Sequence, residues 1–188
     1  MEEIGGYPTC SITEDMAVGM LLQEKGYSSA LINEELVLGL SANTFTELVK
    51  QRDRWCRGNL QVLKHFNPLF SKGLSFGQKI AYFDGAVYWF SNLQKIVYIV
   101  CPLIYLLTSK LIINATIYSL LSVYIPFLVG QHLIFKTFSP KSRSIKWAHY
   151  YDTAMAPHLT LSIIKEILCL NIKFNVTSKE VVLDKKNF

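Results

Sequence analysis

A chain of 188 residues is long enough for one ordinary domain, and 51% apolar against 18% charged residues is a rich apolar share for a chain bathed in water throughout. The surplus is uneven: residues 1–75 carry charges at ordinary density, whereas 96–135 hold one, Lys110, so a cytosolic portion is joined to a membrane portion. The net charge of +5 does not indicate nucleic acid, because the Lys and Arg residues gather at the ends of hydrophobic segments and no basic-aromatic nucleic-acid motif accompanies them.

The chain opens on a Gly-rich loop with Gly5, Gly6 and Pro8, and its acidic first residues form no apolar run of the signal-peptide kind. Ser11 to Glu14 has the S-x-x-E form of a capping box, which predicts a helix from about Glu14 to Lys25 with Gly26 as a left-handed cap. A short strand is expected around Ser29-Ala30-Leu31-Ile32. Thr44 to Glu47 is a second capping box, and the helix it opens is expected to run to about His65, closed by Pro68 and Gly73. On that helix Gln51, Arg54 and Trp55 stand at i, i+3 and i+4 and share a face.

Residues 79–107 are mostly apolar but contain Asp84, Gln94 and Lys95, which are expensive in lipid and are expected to face protein or a polar channel. Residues 111–135 have no charged side chain and, at 1.5 Å per residue, span roughly 37 Å as a helix, enough for a hydrocarbon core. Basic residues on both flanks, Lys64, Lys72 and Lys79 before and Lys136, Lys141, Arg143 and Lys146 after, predict a hairpin with both ends cytosolic. From Ile145 to Leu170 apolar and polar residues mix around Pro157, as in an interfacial amphipathic helix that is kinked or broken there. The four cysteines have no C-x-x-C spacing and read as reduced thiols, and the four histidines have no metal spacing.

Three short motifs stand in order around the two spans: Thr13-Glu14-Asp15, then Gln51-Arg52-Asp53-Arg54-Trp55, then Phe174-Asn175-Val176-Thr177-Ser178-Lys179. Their order resembles the processive membrane glycosyltransferases of family 2, bacterial cellulose synthases among them. The resemblance implies an α/β GT-A-type transfer domain, here only partly present, followed by a transmembrane hairpin and an amphipathic interface helix. It divides the chain into an acceptor-side part (1–75), two transmembrane helices (79–138) and an interface helix with a gating-loop segment (139–188).

The same resemblance assigns roles. Asp15 is the general base of the T-E-D motif, with Glu14 and Thr13 beside it. Arg54 contacts the leaving diphosphate, for which a guanidinium fork is well suited. Trp55 stacks on the terminal sugar of the acceptor, and Gln51 hydrogen-bonds in the acceptor site. Phe174, Val176, Thr177 and Lys179 belong to a loop that closes over the nucleotide. Read alone, Glu14 and Asp15 would simply complement a helix dipole.

The implied reaction polymerises glucose from UDP-glucose into a β-glucan at the cytoplasmic membrane, coupled to translocation. Another linkage such as β-1,3, or an inactive membrane remnant that acts in assembly, stays open. The chain has no Asp-x-Asp pair. The Mg²⁺ expected for the full enzyme, and the N-terminal donor-binding half that would hold it, are therefore expected to lie outside this sequence. The expected partners are UDP-glucose, the growing glucan, membrane lipid and that donor-binding half.

Overall fold

The computed structural model describes residues 2–30, 32, 34, 36, 37, 39–110, 115–138 and 144–170. The chain forms two compact units. One comprises residues up to Phe90 together with those from His158 onward; the other is Ser91–Pro157.

In the first unit, helix α1 (Glu14–Glu24) begins on two carboxylates, which favour the positive end of the helix dipole. Gly26 ends it at φ 92°, and the Tyr27 amide turns back to donate to the Leu22 carbonyl at 3.1 Å. Ser11 does not serve as the predicted cap. Thr13 is the N-cap residue and gives no side-chain cap, while the Ser11 hydroxyl binds the Gly58 carbonyl instead. Helix α2 (Phe45–Phe66) begins where predicted, with the Thr44 hydroxyl accepting from the Glu47 amide at 3.3 Å, but the reciprocal half of the capping box is not made: the Glu47 carboxylate pairs with Lys50 at 2.8 Å instead. It ends at Asn67, whose φ of 30° breaks the helix before Pro68, and Pro68 opens a 3-10 turn, Pro68–Phe70.

Helix α3 (Phe76–Val87) starts in a reciprocal capping box. Ser75 Oγ accepts from the Gln78 amide at 3.4 Å, and Gln78 Oε1 accepts from the Ser75 amide at 2.8 Å. Ala17 and Met20 of α1, Val62 of α2 and Leu74 close a small core, with Met16, Phe66 and Tyr82 packed against it. A fully buried Met or Val contributes about 1.5–3 kcal/mol. At this core α1 and α3 both meet α2.

Among the described residues there is no strand. Ser29, Ala30 and Ile32 are irregular, and Leu31 lies outside the described residues, so the α/β character expected of a GT-A-type part is not present in what is described. The physical reason is local. A short apolar stretch needs a second strand to satisfy its backbone groups, and the described residues offer it none.

The second unit holds α4 (Ser91–Thr108), α5 (Ile117–Phe138) and the first part of α6 (Ile145–Ile167). The helical run Phe76–Thr108 and α5 are long and apolar enough to cross a membrane. The 22 residues of α5 cover roughly 33 Å at 1.5 Å per residue, and none of them is buried against protein. Of the polar residues in the first span, Lys95 pairs with Asp152 of α6 at 3.1 Å, and the Gln94 amide donates to the Tyr98 hydroxyl four residues on. Of the kink or break that the sequence pattern predicts at Pro157, the break does not occur: α6 continues through Pro157, whose ring removes one ladder donor without ending the helix.

Candidate functional site

Helix α2 organises the site. Gln51, Arg54, Gly58 and Gln61 follow one another at three- and four-residue steps along one face. Thr13 lies against this face at Gly58. A Cβ at Gly58 would stand 2.5 Å from Thr13 Cγ2, 2.6 Å from its Oγ1 and 2.8 Å from its backbone nitrogen. Only a residue without a side chain admits Thr13 at this distance. The Ser11 hydroxyl donates to the Gly58 carbonyl at 3.0 Å and accepts from the Thr13 amide at 3.1 Å, so the turn entering α1 is tied to the backbone of α2.

One helical turn further, the Ile12 amide donates to Gln61 Oε1 at 3.1 Å. The other end of the Gln61 amide donates to Glu166 Oε2 of α6 at 3.2 Å. The same carboxylate oxygen accepts from Arg57 Nε at 2.8 Å, an ion pair whose side chains are 7% and 12% exposed. Arg57 also donates to the Leu170 carbonyl at 3.3 Å. Removing one member of such a shielded pair costs about 3–5 kcal/mol, because it strands the other charge. Beside it Cys56 is buried, and its thiol is pushed up to about 12, first by desolvation and then by the charges of Asp53 and Glu166.

Of the T-E-D residues, Thr13 is buried in this contact, whereas Glu14 and Asp15 are exposed on the first turn of α1, and Asp15 Oδ1 accepts from the Met16 amide at 2.8 Å. On α2, Gln51 and Arg54 are half-buried, and among the described residues no ion pair engages Arg54. Trp55 is exposed, with the Arg52 guanidinium 5.0 Å from its ring centroid. The T-E-D and Q-x-x-R-W motifs, far apart in sequence, are thus carried by two elements that touch where Thr13 meets Gly58. An open cleft of about 830 Å³ adjoins the contact, lined by Tyr7, Pro8, Cys10, Ser11, Glu14 and Gln61 among others. Phe174, Val176, Thr177 and Lys179 lie outside the described residues.

Among the described residues no group of three or more His, Cys, Asp or Glu side chains could hold a metal ion. No sequence motif marks Gly58, Gln61, Arg57 or Glu166. Extending the Gln51–Arg54 face by one and two turns reaches Gly58 and Gln61, so those two carry a signal; Glu166, more than 100 residues from Gln61, carries none.

Residues 1–133 match the family model described as glycosyl transferase family group 2. The chain is 31% identical over 189 residues to the UDP-forming cellulose synthase catalytic subunit of Pseudomonas fluorescens, an alignment covering 99% of this chain and 25% of that protein. It is 31% identical over 198 residues to the UDP-forming cellulose synthase 1 catalytic subunit of Komagataeibacter xylinus, covering 100% of the chain and 25% of the relative. To cellulose synthase 1 of the same organism it is 32% identical, with 100% and 12% covered. The chain thus spans about a quarter or less of the length of these curated relatives.

Proposed function

The chain belongs to glycosyl transferase family group 2, and from that premise we propose that it is the acceptor-side part of a processive, UDP-forming β-glucan synthase. In this reading residues 1–75 carry the transfer chemistry, 79–138 cross the cytoplasmic membrane, and 139–188 supply the interface helix and the loop with Phe174, Val176, Thr177 and Lys179. The observation that carries the proposal is the docking of Thr13 on Gly58, which brings the carboxylate turn of α1 against the helix bearing Gln51, Arg54 and Trp55.

Asp15 takes the proton of the acceptor hydroxyl. The acceptor oxygen then attacks the anomeric carbon of UDP-glucose, the bond to the diphosphate breaks, and configuration inverts. Arg54 stabilises the charge that develops on the diphosphate, and Trp55 holds the acceptor sugar by its face. The exposed positions of Asp15 and Trp55 leave both within reach of a substrate. The donor site and any metal ligands would be supplied by polypeptide beyond these 188 residues, in keeping with the small share of the relatives that the chain covers.

The test is incorporation of labelled glucose from UDP-glucose into polymer, in Mg²⁺, by membranes carrying the full-length protein. Incorporation that Asp15→Asn abolishes supports the reading. Polymer formed at the normal rate by Asp15→Asn overturns the role of Asp15, and incorporation from a different nucleotide sugar alone overturns the glucan assignment.

A further inference from the structure

The Gln61 side chain is held at both ends. Its carbonyl oxygen accepts from the Ile12 amide at 3.1 Å, and its NH₂ donates to Glu166 Oε2 at 3.2 Å. A carboxylate accepts only, so Glu166 selects the orientation that turns the Gln61 carbonyl toward Ile12. Glu166 is itself held by Arg57 Nε at 2.8 Å. Ile12 stands three residues before Asp15, and between them Thr13 rests on Gly58.

We propose that Gln61 and Glu166 are positioning residues for Asp15: a carboxylate near the end of α6 orients an amide on α2, and that amide fixes the backbone from which the first turn of α1 departs. This rests on the reading of Asp15 as the base, but the positioning can be measured without any activity. A base displaced by about an ångström from its proton loses rate rather than substrate affinity. The effect of uncoupling the relay therefore falls on kcat and leaves the KM for UDP-glucose unchanged.

The experiment is hydrogen exchange, read by mass spectrometry, on peptides covering Ser11–Met20 in the detergent-solubilised full-length protein, together with polymerisation kinetics. Gln61→Leu leaves the Arg57–Glu166 pair in place and removes only the relay. Exchange at the Ile12 and Thr13 amides is expected to rise roughly fivefold or more, with kcat falling and KM unchanged. Gln61→Glu sets a second carboxylate against Glu166, and Glu166→Gln removes the charged partner of Arg57; each is expected to loosen the turn. The swapped pair, Gln61→Glu with Glu166→Gln, restores one carboxylate and one amide in contact and is expected to recover protection. A merely structural role would move exchange without lowering kcat at unchanged KM.

Unchanged exchange in Gln61→Leu overturns the proposal, as does a swapped pair no better than its parents. Where Gln61→Leu fails to accumulate, the swapped pair decides. Altered exchange with unaltered kcat also overturns the positioning role, whereas the role of Asp15 as the base stands or falls on Asp15→Asn, so the two failures are distinct.

Discussion

Gly58→Ala sets two effects of opposite sign against each other. In a helix interior, Gly→Ala is favourable by about 1 kcal/mol, because alanine loses less backbone entropy. At Gly58 the new methyl would stand 2.5 Å from Thr13 Cγ2, 2.6 Å from Oγ1 and 2.8 Å from the Thr13 backbone nitrogen. A rotamer change moves the first two atoms but not the third, so the turn itself must shift. Overpacking of this kind costs about 1–3 kcal/mol. The same shift stretches the Ser11 bond to the Gly58 carbonyl, 3.0 Å long in the native contact, and its loss adds about 1 kcal/mol. The net expectation is a loss of roughly 1–3 kcal/mol after the propensity gain. Thermal unfolding of the purified protein would show it as a fall of roughly 2–4 °C per kcal/mol for a chain of this size. Thr13→Ala removes two of the three clashing atoms, so the double variant is expected to recover part of the loss. A rise in the unfolding midpoint for Gly58→Ala, the result expected of a helix with open space at that position, would refute the packing of Thr13 on α2 and with it the site.

Trp55→Ala removes the exposed ring proposed to hold the acceptor; acceptor affinity is expected to fall roughly three- to tenfold, read from the acceptor dependence of incorporation, with UDP-glucose affinity retained. Cys56 is expected to resist iodoacetamide at about pH 8.5 in the folded protein while the exposed Cys10 reacts, since burial holds the Cys56 thiol up to about 12 and the thiolate is the nucleophile. The sign for stability follows: below the ordinary value of 9.0 both states keep the proton, and between 9.0 and about 12 only the unfolded chain gives it up, so Cys56 makes stability fall as pH rises through that window. A pH series of the same unfolding assay, with Cys56→Ala as the reference, checks it. Ser75→Ala breaks the capping box of α3 and is expected to destabilise by about 1 kcal/mol in that assay, and Ser75→Asp, which can still cap, by much less.

Elements whose cause lies within a few residues are legible in the sequence. The start of α2 follows from Thr44 and Glu47, the end of α1 from Gly26, and the two apolar helices from runs nearly free of charge. The common face of Gln51, Arg54 and Trp55 follows from helical periodicity alone. Where a local signal has a tertiary competitor, the competitor wins. Ser11 has the position of a capping residue, yet its hydroxyl binds the Gly58 carbonyl 47 residues away. The strand predicted near Ser29 has no partner strand among the described residues.

The helical periodicity, the apolar spans and the three motifs of the resemblance can be read from the chain before it folds, because each depends on spacing along a single stretch. That Thr13 rests on α2 at Gly58, and that Gln61, held by Glu166, takes the Ile12 amide, cannot. Those contacts join α1, α2 and α6, and a contact between distant residues is set by which surfaces bury together, a property that no local pattern encodes.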